Sequence, residues 1–334
     1  MAITAKNKNE PAIVAIGGGT GLSNMLRGLK CHTGKLTAIV TMADDGGGSG
    51  TLRNELGMPP PGDVRNCLQA LANTEPTMEQ LLAYRFKDGC LAGQSLGNLF
   101  LAALNDISGS FYGAVRKLSE VLAITGKVLP VTAEDVHLMA SFDDGTHVIG
   151  ESKIMSHKKQ GDRRISRVAL MPENPPALSD SLVAIENADI ILIGPGSVYT
   201  SIIPNLLTDG IAEAIANSDA LKVYVLNVST EDGETENYTA ADHVQAILNH
   251  AGCRIFDYCL ANSTPMPEEV ARRYAEQGAA QTLVDEEELA RLGIETILRP
   301  MLDCSGGYAH HDSKKLALEI MELYREKSPT RIYG

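Results

Sequence analysis

The sequence predicts an α/β protein built on a mostly parallel, Rossmann-like sheet with helices on both faces. Three observations carry that expectation. Short β-rich runs of uniformly apolar residues alternate with stretches of helical spacing, and the first run stops at a block of glycines. Of the 334 residues, 44% are apolar and only 21% are charged, which supplies material for a sizeable core. Strands that read as continuous apolar runs, without alternation, are those of a parallel sheet covered on both sides.

Ala12-Ile13-Val14-Ala15-Ile16 is the first such run, and it gives way to Gly17-Gly18-Gly19-Thr20-Gly21. Leu22, Met25, Leu26 and Leu29 then recur at helical spacing, so the glycines form a strand-to-helix turn. A second strand over 36–41 ends at Asp44-Asp45, followed by the glycine-rich stretch 46–50. Pro59-Pro60-Pro61 then fix an extended approach to a helix that begins near Asp63, whose carboxylate suits an N-cap. From Val64 to about Leu122 the pattern is mostly helical, broken at Gly89, Gly93, Gly97 and Gly109, so 63–122 is expected as a helical block.

The span 136–168 reads as a small antiparallel β excursion, because Asp144-Gly145 sits between alternating segments, a strong hairpin signal. It carries Lys153, Lys158, Lys159, Arg163, Arg164 and Arg167, which suit either a solvated hairpin face or a phosphate-facing flap. Beyond it, helical stretches at 178–187, 211–216 and 239–250 alternate with strands at 190–193, 223–226 and around 258–260. That alternation implies parallel strands with right-handed crossovers. Nothing marks a domain boundary, so 1–334 is read as one α/β domain with its core over about 12–325.

Composition excludes several function classes. Forty-two acidic against 29 basic residues give a net charge of −13, which repels nucleic acid and anionic membranes but leaves room for a small phosphorylated ligand in a local pocket. The six cysteines form no C-x-x-C pair, which fits buried thiols in a reducing compartment. Residues 1–11 are polar without an apolar leader, and no run approaches the ~20 apolar residues of a membrane span. A cytoplasmic protein is expected, with a homodimer as the default assembly.

Five loops carry the chemistry, each rich in glycine and small hydroxyl, amide or carboxylate residues. In open α/β sheets such loops converge beyond the carboxyl ends of the strands. Gly17 to Gly21 offer backbone amides and a helix N-terminus to a phosphate. Asp44 and Asp45 can accept ribose hydroxyls or hold Mg²⁺ through hard oxygens. Gly62, Asp63, Arg65 and Asn66 add a second helix start with a charge-assisted donor. Gly97 and Asn98 close a glycine-framed turn. Gly194-Pro195-Gly196-Ser197, with Tyr199 and Ser201 beyond it, exposes amides and a hydroxyl suited to a diphosphate. The G-x-G-x-x-G spacing of a dinucleotide turn, a P-loop, a G-x-S-x-G elbow and an H-E-x-x-H pair are all missing from the sequence. His310-His311-Asp312 suits a metal, a phosphate or a helix start.

Together Gly17 to Ser23, Ala43 to Gly47, Pro59 to Cys67 and Gly194 to Ser201 resemble the YvcK-like gluconeogenesis factor family, a relative of the 2-phospho-L-lactate transferases. The resemblance runs from about residue 12 to 325, and Pro-Pro-Pro-Gly-Asp-Val-Arg-Asn is its most specific motif. It implies a Rossmann-like fold, a UDP-sugar ligand such as UDP-N-acetylglucosamine, and a role in morphogenesis and envelope supply during gluconeogenic growth. Binding roles fall on Gly17, Gly18, Gly19, Thr20, Gly21, Leu22, Ser23, Asp44, Asp45, Gly62, Asp63, Arg65 and Asn66. They extend to Gly97, Asn98, Gly194, Pro195, Gly196, Ser197, Tyr199, Ser201, Asn227 and His310, and no catalytic role transfers. Gln94 and Leu96 stand where the family reads His and Phe, and His310 takes the place of an arginine, exchanging a permanently charged fork for a weaker base. Ser313 occupies a hydroxyl position open to phosphorylation. Two rival readings are a Mg²⁺-dependent phosphotransferase of the 2-phospho-L-lactate type, with Asp44 and Asp45 on the metal, and an NAD(P)-binding protein or oxidoreductase.

Overall fold

A computed structural model describes residues 10–159, 161 and 163–328. Its centre is a seven-stranded sheet: β1 (Ile13–Gly17), β2 (Leu36–Val40), β3 (Lys127–Pro130), β4 (Ile190–Ile193), β5 (Leu221–Val225), β6 (Tyr258–Asn262) and β7 (Glu295–Arg299). The spatial order is β7-β6-β5-β4-β1-β2-β3, and every neighbouring pair is parallel. Ile13 of β1 faces Leu36 of β2 on one side and Ile190 of β4 on the other. These apolar runs are continuous because both faces are covered: Ile13, Ile16, Ile191 and Leu192 are fully buried. The chain runs outward from β1 through β2 to β3, then returns to the far side of β1 as β4. The carboxyl ends of β1 and β4 therefore flank a switch point, where α/β sheets open a crevice.

Helix α1 (Gly19–Leu29) buries Leu22, Met25, Leu26 and Leu29, the stripe read from the sequence. It lies close to the final helix, Ser313–Lys327: a Cβ at Gly28 would stand 1.9 Å from the Ser313 carbonyl oxygen. Only glycine permits that backbone approach, which brings the segment before Ser313 alongside α1. Asp312 caps this final helix, its carboxylate accepting the amides of Lys314 and Lys315.

Several expectations are revised. Between the helical block and the β excursion lies β3, a parallel edge strand of the main sheet. The antiparallel excursion follows it, as a three-stranded sheet of His147–Ile149, His137–Phe142 and Ile165–Met171. Its hairpin turns at Asp144-Gly145, with the Thr146 amide donating to Asp144 Oδ1. Between its second and third strands lies a helix, Glu151–Lys159, with one buried apolar residue, Ile154. So thin an apolar face leaves no helical signature, and it moves Lys153, Lys158 and Lys159 off the hairpin and onto a helix. The glycine stretch after Asp45 is likewise the start of α2 (Gly47–Leu56). In the helical block, which opens with α3 (Gly62–Leu71), Gly97 sits inside the helix Leu96–Ser108, while Ser95 caps it by accepting the Asn98 amide at 3.2 Å. Among the described residues no helix is long and apolar enough to cross a membrane.

Candidate functional site

A cleft of about 1200 Å³ opens at the carboxyl ends of the central strands. Thirteen of the residues singled out from the sequence line it: Gly19, Thr20, Gly21 and Ser23 after β1; Asp44 after β2; Asp63 and Asn66 on α3; Pro195, Gly196, Ser197 and Ser201 after β4; Asn227 after β5; and His310. Loops separated by as many as 290 residues thus meet at one place.

The glycine turn supplies the floor. Gly18 is extended and caps α1 without a side chain, so the amides of the first turn receive no side-chain acceptor from the cap. Such a terminus carries partial positive charge and accommodates anions. A Cβ on Gly18 would fall 2.5 Å from Asp63 Oδ2 and 2.8 Å from Thr41 Cγ2, so glycine is what allows α3 and β2 to close on the turn. Thr41 lines the cleft, and its buried hydroxyl has no partner among the described residues. Gly17 belongs to β1 and Leu22 to the core, so both shape the turn from behind.

Carboxyl groups cluster beside this turn. Asp63 was expected to cap its own helix, but α3 is preceded by Pro61 with no side-chain cap, and the Asp63 carboxylate instead accepts the Gly19 amide. Burial, reinforced by Asp44, pushes Asp63 up to about 6, while the Gly19 amide and Arg65 oppose the rise. Glu151 is pushed up to about 8, first by burial and then by Asp44, to which it is hydrogen bonded. At neutral pH Glu151 therefore holds its proton and donates it toward Asp44.

Asp44 Oδ1 also accepts the Gly46 amide at 2.8 Å. Asp45 turns elsewhere, its Oδ1 accepting the Ser152 amide at 2.8 Å at the start of helix Glu151–Lys159. The two adjacent aspartates thus serve different partners. Among the described residues no group of three or more His, Cys, Asp or Glu side chains is arranged to hold a metal ion.

Four further residues stand behind the cleft. The terminal nitrogens of the Arg65 guanidinium donate to Asn66 Oδ1 at 2.8 Å and Gln69 Oε1 at 3.2 Å, which orients Asn66, while its Nε is without a partner among the described residues. Its stem fills the space at Gly97, where a Cβ would meet Arg65 Cδ at 2.7 Å. Gly62 and Asn98 are buried in the same packing.

The loop after β4 departs from expectation in its hydrogen bonding. The Gly196 amide donates to Asn227 Oδ1 at 2.9 Å, and Asn227 Nδ2 returns a bond to the Gly196 carbonyl at 2.8 Å. The Ser197 hydroxyl donates to Glu231 at 2.6 Å, and the amides of Tyr199 and Thr200 donate to Glu234 Oε1 at 3.0 and 2.9 Å. These groups form a rigid wall, and they are not the free donors anticipated. Burial, with Glu231 nearby, holds the Glu234 carboxyl well above the usual range. Tyr199 is buried, its hydroxyl against that of Tyr238 at 2.8 Å, and Gly194 also lies outside the cleft.

The basic cluster splits: Arg163 pairs with Asp144 of the hairpin turn at 2.6 Å and Arg164 and Arg167 are exposed, as a solvated hairpin face requires, whereas the lysines lie on the helix. Lys158 pairs with Glu236 at 2.7 Å and Lys159 with Asp232 at 2.9 Å, tying helix Glu151–Lys159 to the loop after β5, and Lys159 lines the cleft. Sequence reasoning missed Glu151, Glu231 and Glu234, all outside glycine-rich loops or recognisable motifs, whereas Lys159 and His311, both named from the sequence, do line the cleft.

Comparison with known proteins places these features in context. The family described as "2-phospho-L-lactate transferase CofD" matches residues 13–302. The "Gluconeogenesis factor" of Bacillus subtilis is 48% identical over 318 residues, spanning 95% of this chain and 99% of that protein. A "Putative gluconeogenesis factor" of Thermoanaerobacterium thermosulfurigenes is 52% identical, over 94% of this chain and 97% of its own length. A crystal structure of a UPF0052-family protein from Bacillus halodurans superposes with a TM-score of 0.89 at 47% identity, covering 92% of this chain and 99% of that one.

Proposed function

We propose a nucleotide-sugar-binding regulator from one premise: the chain belongs to the family described as 2-phospho-L-lactate transferase CofD, alongside the gluconeogenesis factors. In this reading the cleft takes a ligand of the UDP-N-acetylglucosamine type by its diphosphate. Occupancy then reports the supply of that sugar for envelope synthesis and cell shape during gluconeogenic growth. The carrying observation is the N-terminus of α1, where Asp63 takes the Gly19 amide and Gly18 supplies no side-chain cap, lining the cleft beside the unpartnered Thr41 hydroxyl at the switch point of the sheet. The surrounding polar groups are bonded to one another, as in Gly196–Asn227 and Ser197–Glu231, an arrangement suited to holding a ligand.

Calorimetric titration with UDP-N-acetylglucosamine, UDP, GDP and NAD⁺ tests the reading. Heat with the uridine ligands supports it, and no heat with either refutes it. Saturation by NAD⁺ alone would favour a dinucleotide-binding protein instead.

The carboxyls beside α1 favour a second reading, a phospholactyl-type transferase. Mg²⁺ is commonly held by one or two carboxylates together with substrate phosphates, and Asp44 is the carboxylate so placed. The ion would neutralise charge on the transferring phosphoryl group. Mg²⁺-dependent turnover of a nucleoside-diphosphate-linked donor, lost in Asp44→Asn, would establish this activity, and no turnover would dismiss it.

A further inference from the structure

Besides Thr41, the cleft holds a second buried polar side chain with an unpartnered atom. His311 is 6% exposed, lines the cleft, and has an Nε2 with no partner among the described residues. Three contacts fix where it sits. Its backbone pairs with Leu302 in a two-stranded ladder, its carbonyl accepts from Asn24 Nδ2 of α1 at 2.6 Å, and its ring lies against the Leu226 carbonyl just past β5. The ring is thereby pinned between the helix whose N-terminus faces the phosphate position and the residue next to Asn227.

Chemistry then restricts what His311 can do. The carbonyl of Leu226 calls for a proton on the ring nitrogen turned toward it, and in that neutral tautomer Nε2 presents a lone pair. Burial, reinforced by His310, lowers the imidazole to about 4, so it is no phosphate-binding cation at neutral pH. A buried acceptor beside a cleft wants an O–H or N–H group, because leaving it unpaired is costly. The diesterified phosphates of a nucleotide-sugar offer no such proton at neutral pH, but its sugar hydroxyls do.

We propose that His311 is a specificity-determining residue that accepts a hydrogen bond, through Nε2, from a sugar hydroxyl of the nucleotide ligand. The proposal rests on the nucleotide-sugar reading given above. It divides the work of the adjacent histidines: His310, exposed on the rim, is free to meet charge, while His311 reads a neutral donor. The hydroxyl belongs either to the ribose or to the hexose, and ligand truncation separates them.

The test titrates the wild-type chain, His311→Leu and His311→Gln with UDP-N-acetylglucosamine, UDP and pyrophosphate. Leucine removes the acceptor, whereas the Gln carbonyl restores one. His311→Leu should lose on the order of 10-fold or more in affinity for the sugar-bearing ligands, His311→Gln should recover most of it, and pyrophosphate should bind all three alike. Loss confined to UDP-N-acetylglucosamine assigns the hexose, and loss shared with UDP assigns the ribose. Unchanged pyrophosphate binding also reports that the variant is folded. Should His311→Leu misfold, the ¹⁵N resonance of Nε2 in the wild type decides: it shifts on adding UDP-N-acetylglucosamine but not pyrophosphate. Equal affinities across the variants, or an unmoved resonance, overturn the role of His311. A wild type that binds none of the three ligands refutes the nucleotide-sugar reading itself.

Discussion

Replacing Glu151 by glutamine should stabilise the protein, and increasingly so as pH rises. Glu151 is a carboxyl raised from 4.5 to about 8, with burial as the first cause and Asp44, Asp45 and Asp63 following. Below pH 4.5 it is protonated in both folded and unfolded chains and contributes nothing to the pH dependence. Between 4.5 and about 8 the unfolded chain releases the proton while the folded chain keeps it, so stability falls with rising pH, and above 8 the penalty is constant. At 1.36 kcal/mol per pH unit the full penalty is ~5 kcal/mol. Because the neighbouring carboxyls titrate together, removing one is expected to recover only part of that penalty. Glutamine keeps a donor toward Asp44 and cannot ionise. Urea denaturation of both chains at pH 5, 7 and 9 gives the answer: the stability difference should be small at pH 5 and near its full value at pH 9. A difference that stays constant across that range would refute the claim that Glu151 is held neutral.

Further outcomes follow from the same contacts. Gly18→Ala should abolish diphosphate binding and lower stability by ~1–3 kcal/mol, because its Cβ would displace Asp63 and Thr41; calorimetry and thermal melts report both. Asn227→Ala should cost ~1–3 kcal/mol in denaturation by orphaning the Gly196 amide. Glu234→Gln should cost far less than Glu234→Ala in urea denaturation, since the glutamine carbonyl keeps the acceptor that the Tyr199 and Thr200 amides use and alanine orphans both. Leu192→Ala in the sheet centre should lose ~2–5 kcal/mol by urea denaturation.

What could be read from the sequence follows physical rules. β1, β2, β4, β5 and β6 announce themselves as apolar runs because both of their faces are buried. β7, with the burial of Glu295, Ile297 and Leu298 differing along it, is an edge strand and leaves no such run. Helix α1 shows its stripe, but helix Glu151–Lys159 buries only Ile154, so the carboxyl on its first residue went unseen. The glycine loops pointed to the cleft because missing side chains signal close approach. Hydrogen-bond commitments are different in kind. That Asn227 would occupy the Gly196 amide, or Arg65 spend its charge on Asn66 and Gln69, depends on rotamers and packing that no spacing encodes.

A structure of the chain with UDP-N-acetylglucosamine bound would test the central claim most directly. The pyrophosphate should lie against the Thr20 and Gly21 amides at the start of α1, within reach of the Thr41 hydroxyl. Density for the phosphates anywhere other than that helix terminus would contradict the account.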